Sequence, residues 1–169
     1  MLQAEKILIK ARHSGFYLWL LNVALDRMIP FNKPHGFRIL ELEEHRLKTG
    51  VPYKRRNFNH IRGLHACGLA TLSEFTTGFL LLSVLGMKKY RIIMQRLEMN
   101  YHYQGKMAAT AEFTISKEWI EEKIVKPLQS QEAVVVPCEI KIFDVKGNQL
   151  TTGLVYWQFK DWAKVKTKA

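Results

Sequence analysis

The chain has only two cysteines in 169 residues, Cys67 and Cys138. Their spacing asks for no disulfide framework, and their apolar surroundings suit buried free thiols in a reducing cytoplasm. The six histidines show no metal-ligand spacing, so no metal site is expected. Low-complexity tracts and internal repeats are absent, and Gly and Pro are scattered, which leaves one ordinary domain with an appendage. Acids are scarce, 15 against 26 Lys and Arg, and the net charge is +11. Such a field suits an anionic partner: nucleic acid, an anionic membrane or a phosphorylated cofactor. The cations form only small knots at residues 54–56, 88–91 and 164–168. No helix-turn-helix pattern, zinc spacing or aromatic RNA-binding signature goes with them, so nucleic acid is not the expected partner.

Two apolar runs need a decision. "GFYLWLLNVAL" (15–25) follows Lys6, Lys10 and Arg12 but lacks a small-residue cleavage site and continues into Asp26 and Arg27, so it does not read as a signal peptide. Residues 64–87 are long enough to span a bilayer. Glu74 lies near their middle, however, where a charge costs about 2.5–3.5 kcal/mol, and Ser73, Thr76 and Thr77 accompany it. A buried helix of a soluble, cytoplasmic domain fits better.

Periodicity predicts the order of elements. Residues 2–29 read as one helix, or two broken near Ser14–Gly15, with Leu18, Leu21, Leu25 and Met28 at helical steps and Pro30 as the stop. The default for this segment is packing on the core, with cover of a ligand tunnel or contact with a membrane as the alternatives. "FNKPHG" (31–36) makes a turn, and two strands occupy 37–54. A loop over 55–63 leads into a helix at 64–85, crowded with Ala66, Cys67, Gly68, Ala70, Ser73 and Gly78 and capped by Gly86. Small residues admit close neighbours, so this helix is expected to be wrapped. Alternation then predicts a strand through Ile93, Leu97, Met99, Tyr101 and Tyr103. A turn at Gly105–Lys106 joins it to a hairpin partner over 107–115. Ser116 caps a short helix ending before Pro127, and strands at 133–144 and 150–159 close the chain. One central helix with about six mostly antiparallel strands is an α+β arrangement in which a curved sheet surrounds the helix.

Glu74 is the one Asp, Glu, Lys or Arg between Leu64 and Met87. A poorly solvated carboxylate is a candidate base or nucleophile; the plainer reading is a side chain on the face that reaches water. Before it stands "NFNHIRGLHAC" (57–67), which brings Asn59 and His65 to a helix N-terminus whose free amides suit a developing oxyanion. Glu74 lies nine residues beyond His65, about 13 Å along the axis, so a shared site would need a second chain or a substrate spanning the gap. Cys67 has two readings, a nucleophile at a helix start or small core filling, and filling is the commoner role. His13, His35, His45 and His102 read as surface residues. Trp119, Tyr156, Trp157 and Trp162 read as packing.

Asn59, Gly63-Leu64-His65-Ala66 and Glu74 resemble the hotdog-fold thioesterases. In the phenylacetyl-CoA thioesterase-like branch an Asn is followed six residues on by His-Gly-Gly and nine later by Asp or Glu. "PFNKPHGF" and "RRNFNH" are more similar to an uncharacterised hotdog branch. The resemblance covers about residues 30–160 and implies a hotdog domain over 31–162, preceded by a helical extension (1–30) and followed by a basic tail (163–169). It implies a homodimer or tetramer joined sheet to sheet, with Glu74 entering from the opposite subunit. The Ala66 N–H would polarise a thioester carbonyl, Glu74 would activate water or attack, and Asn59 would orient water or carbonyl. His65 would shape the loop, and Arg55, Arg56, His60 and Arg62 would hold the phosphates of coenzyme A, present as part of an acyl-CoA substrate and not as a cofactor. Ala66 and Cys67 depart from the Gly pair. That departure keeps a second expectation alive, a non-catalytic acyl- or lipid-binding hotdog. A dehydratase lacks support, since no Asp and His stand at the hydratase spacing.

Overall fold

A computed structural model describes residues 2–86 and 88–165, with side chains from residue 6 onward. Residues 166–169 of the expected basic tail lie outside the described residues. Helices α1 (Leu2–Ala11) and α2 (Gly15–Met28) break at the expected Ser14–Gly15, and a short α3 (Asn32–His35) follows. Strands β1 (Arg38–Leu42) and β2 (Arg46–Val51) form a hairpin, and α4 (Ala66–Leu85) is the long helix. Strands β3 (Tyr90–Tyr101) and β4 (Ala109–Thr114) come next, then a helical stretch of α5 (Lys117–Ile120), a π turn and α6 (Lys126–Ser130). Strands β5 (Ala133–Asp144) and β6 (Gln149–Asp161) form the closing hairpin. The six strands make one antiparallel sheet in the order β1-β2-β4-β5-β6-β3.

Helix α4 contacts β2, β3, β4, β5 and β6, so the sheet curves around it. It is the one helix among the described residues that is long and apolar enough to cross a membrane, and here it is the core helix. Leu72, Leu80 and Leu81 are fully buried, each stabilising the fold by roughly 1.5–3 kcal/mol relative to exposure. Its buried hydroxyls are satisfied. Thr76 Oγ1 donates to Leu72 O and meets Thr49 Oγ1 at 2.6 Å, while Thr77 Oγ1 donates to Ser73 O and accepts from Trp157 Nε1 at 3.0 Å. Gly78 is small for a reason: a Cβ there would lie 2.5 Å from the Trp157 ring.

The two sheet edges differ. At β1, Asn22 of α2 donates to Ile39 O (3.0 Å) and accepts from Ile39 N–H (2.8 Å), taking both backbone groups of an edge residue. Arg38 clasps Asp26 of the same helix through two bonds of 2.7 and 2.9 Å. Strand β3, 12 residues long, pairs with β6 on one side and with no described strand on the other.

Three expectations need correction. Residues 107–115 are not the hairpin partner of β3. Strand β4 instead pairs with β2 and β5, because the chain crosses over between Tyr101 and Ala109. The even alternation of β3 breaks between Met94 and Arg96, where a bulge shifts the register and leaves Ile93 47% exposed, out of phase with Leu97. The short helix runs past Pro127, which follows directly on the π turn over Glu121–Val125 and is taken in at the start of α6.

Gly78→Ala sets helix propensity, worth about 1 kcal/mol in its favour, against overpacking of the Trp157 ring, typically about 1–3 kcal/mol. The 2.5 Å approach decides for overpacking. A lower denaturant midpoint at unchanged slope is expected.

Candidate functional site

The start of α4 is built by the loop before it. His65 is the N-cap, with extended backbone (φ −65°, ψ 136°), and its Nδ1 accepts from the Cys67 N–H at 3.1 Å. The Gly68 and Leu69 amides both reach His65 O, at 2.9 and 3.2 Å. The Ala66 amide, first in the helix, has no acceptor among the described residues. It is thus a free donor at the positive end of the dipole. Asn59 spends its carboxamide oxygen on its own loop, accepting from Ile61 N–H (3.1 Å) and Gly63 N–H (2.8 Å), while its NH₂ has no acceptor among the described residues. This turn holds Arg62 in the left-handed region at φ 58°, with Arg62 O accepting from Tyr53 Oη at 2.6 Å.

Two cavities flank the loop. The first, about 230 Å³, is walled by Phe31, Phe37 and Phe58. His35, Arg56 and Asn57 border it on the loop side, and His65, Cys67, Gly68 and Thr71 on the helix side. The second, wider one is lined by Arg55, Phe58, Asn59 and Arg62. The structure thus groups Arg55 and Arg62 with Asn59, and Arg56 with His65. His60 is exposed and borders neither.

Glu74 continues the face of α4 that carries Cys67 and Thr71, at helical steps of four and three residues. It is half-buried, and its carboxylate makes no hydrogen bond or ion pair among the described residues. Desolvation raises its pKa above the ordinary carboxylate value. It borders neither cavity, and within one chain the structure does not bring it to Asn59, His65 or Ala66. Beyond the helix start, Tyr101 Oη donates to Ala66 O at 3.0 Å. Burial, then the neighbouring Cys67, pushes the Tyr101 pKa up.

Residues 18–159 match the family described as a domain of unknown function, DUF4442. The chain belongs to that family. No curated protein matches it in sequence. Among solved structures this DUF4442 chain is similar to a Pseudomonas aeruginosa protein of unknown function described as a probable thioesterase. The identity is 20% over 84% of this chain and 94% of that one, with a TM-score of 0.77. It is also similar to a Haemophilus influenzae thioesterase at 14% identity, covering 85% and 90% of the two chains, with a TM-score of 0.66. A second P. aeruginosa thioesterase gives 13% identity, 85% and 94% coverage and a TM-score of 0.66. At these identities the likeness establishes the hotdog fold.

Some residues around this helix start escape a reading of the sequence. His35, expected on the surface, is partly buried and hydrogen-bonded to Asn57, which is itself buried and had no assigned role. Cys67, expected to be buried, is exposed at the pocket rim, whereas Cys138 is buried and its thiol is pushed up to about 12 by that burial. The usable signal was "FNKPHGF", a loop rich in aromatics and unlike a plain turn.

The raised pKa of Glu74 means the folded chain holds that proton more tightly than the unfolded one. Its charge therefore weakens the fold as pH rises above the unfolded value. Glu74→Gln is expected to raise the denaturant midpoint at pH 7, with the gain shrinking as pH falls toward 4.

Proposed function

We propose that this chain hydrolyses an acyl-CoA or related thioester at sites formed between two copies. Glu74 carries the reading: a partnerless, poorly solvated carboxylate on the helix face leading toward the free Ala66 amide. Spaced about 12 Å from that amide along the axis, it is out of hydrogen-bond reach of its own helix start, and in this reading it serves that of another copy. The open edge of β3 suits the joining of two sheets. A C2 pair would carry two equivalent sites. The printed description of the P. aeruginosa relative as a probable thioesterase points the same way.

In this reading the Ala66 N–H of one copy polarises the thioester carbonyl, as oxyanion-hole amides do. Glu74 of the other copy attacks it. A carboxylate stripped of solvating donors is a stronger nucleophile than a hydrated one, which turns the cost of its burial to use. The NH₂ of Asn59 orients the carbonyl, and His65 keeps the helix start in shape. Arg55 and Arg62, with Arg56 and His60 nearby, hold the phosphates of coenzyme A.

Ala66 and Cys67, where thioesterase-like hotdogs carry Gly-Gly, favour a second reading, an acyl-binding protein without turnover. Co-purifying acyl species in native mass spectrometry, with no thiol released from a panel of acyl-CoAs, would favour it.

Ala66→Pro tests the mechanism cleanly. Proline is accepted at the first helical position yet removes the N–H. Ala66→Pro and Glu74→Gln are each expected to abolish thiol release while staying folded and dimeric. Mixed after dissociation, the two variants should regain about a quarter of wild-type activity, since half the dimers carry one intact site. No recovery on mixing, or unchanged turnover in Glu74→Gln, would remove the shared site.

A further inference from the structure

Asn57 and His35 fix the protonation of a ring nitrogen beside the aromatic pocket. Asn57 Nδ2 donates to His35 O at 2.9 Å and to Pro52 O at 2.8 Å. Both partners are carbonyl oxygens, so the carboxamide nitrogen must face them. Its Oδ1 therefore meets His35 Nδ1, at 3.0 Å. That oxygen can only accept, so Nδ1 carries the hydrogen and Nε2 of the neutral ring is a bare lone pair. The ring is held between Phe31 and Phe37, with centroids 5.3 and 6.0 Å away.

Nε2 has no hydrogen-bond partner among the described residues. Among the described residues the sealed, unpartnered side-chain atoms are Arg12 Nε, both His45 nitrogens and Thr151 Oγ1. His35 Nε2 is not one of them, so it is not sealed from solvent, and the ring lines the pocket. Across the pocket the pattern is reversed: His65 Nδ1 accepts from Cys67 N–H, so its Nε2 bears the hydrogen. One imidazole offers an acceptor and the other a donor. The charged and titratable groups facing His35 are Arg56 from the loop and His65 and Cys67 from α4. Lys33 lies on its own short helix, and Lys54 Nζ sits close to Gly36.

We propose that His35 Nε2 is the general base for the hydrolytic water. This rests on the reading above, in which Glu74 of a second copy attacks the thioester. That attack forms a C–O bond and breaks the C–S bond, and the thiolate leaves. Water then adds to the acyl–Glu74 anhydride. As its oxygen bonds to the acyl carbon, its proton passes to Nε2 and the bond to Glu74 breaks, freeing the carboxylate. The imidazolium gives that proton up to bulk water, from which the departed thiolate has taken one, so thioester and water become acid and thiol with no other reactant. Asn57 is a positioning residue that sets the tautomer.

His35→Gln in the full chain, assayed with the acyl-CoA the wild type cleaves fastest, tests the step. Expected are a burst of one thiol per site, a steady-state kcat lower by about 100-fold or more, and an acyl adduct on the Glu74 peptide. The acid limb of the kcat–pH profile should vanish, and added imidazole should restore turnover to His35→Ala. Unchanged kcat with the acid limb intact would overturn the proposal and leave the thioesterase reading standing. A wild type that cleaves no acyl-CoA would overturn both. Independently of turnover, ¹⁵N NMR should show His35 as the Nδ1–H tautomer, mixed in Asn57→Leu. An Nε2–H tautomer in the wild type overturns the assignment.

Discussion

A helix enclosed by a curved sheet has few chances to hydrogen-bond to water, so any polar group it carries must find a partner within reach. Helix α4 meets that condition with hydroxyls alone. Ser73, Thr76 and Thr77 turn back to carbonyls one turn earlier, and Thr49 and Trp157 supply the cross-links to the sheet. Glu74 is the exception on the same helix, a carboxylate for which no such partner is provided. Since the hydroxyls of the helix are so fully satisfied, that unpaired carboxylate stands out as a burial cost with no partner to offset it among the described residues.

The same helix organises the site at its beginning. Burial of α4 fixes the position of its first turn, and the loop over residues 52–65 spends its own polar groups on reaching it. Asn59 closes the turn, Asn57 anchors the loop to His35 and Pro52, and His65 caps the helix. Little is left over, and what remains is chemically usable: the Ala66 amide, the Asn59 NH₂ and two imidazole nitrogens of opposite character. A loop that satisfied itself less completely would offer more donors, each less well aimed.

Local pattern carried most of the architecture into the sequence. The helix break at Ser14–Gly15, the limits of α4 with Gly86 beyond it, and the β5–β6 hairpin are each written in contiguous residues. What was not legible depends on contacts far apart in the chain. Strand β3 pairs with β6 and not with its neighbour β4, and nothing near Gly105 says so. The bulge in β3 spoils an alternation that reads as perfect on paper. His35 gains its meaning from Asn57, 22 residues away, so a solitary histidine in a Pro- and Gly-containing turn looks like a surface group. Glu74 was legible as an anomaly because charge within an apolar run needs no partner to be seen.

The unequal ends of the sheet bear on how copies of this chain can join. Asn22 and the Arg38–Asp26 clasp occupy the β1 margin, so an incoming strand finds no ladder there to extend. Among the described residues the β3 margin has no such guard. Self-association through backbone pairing is therefore a terminating event: once two unguarded margins meet, each outer border is already spoken for. Helix α2 thus acts at the β1 margin as a stopper: pairing of two copies through β3 would leave no second open border for a third to extend.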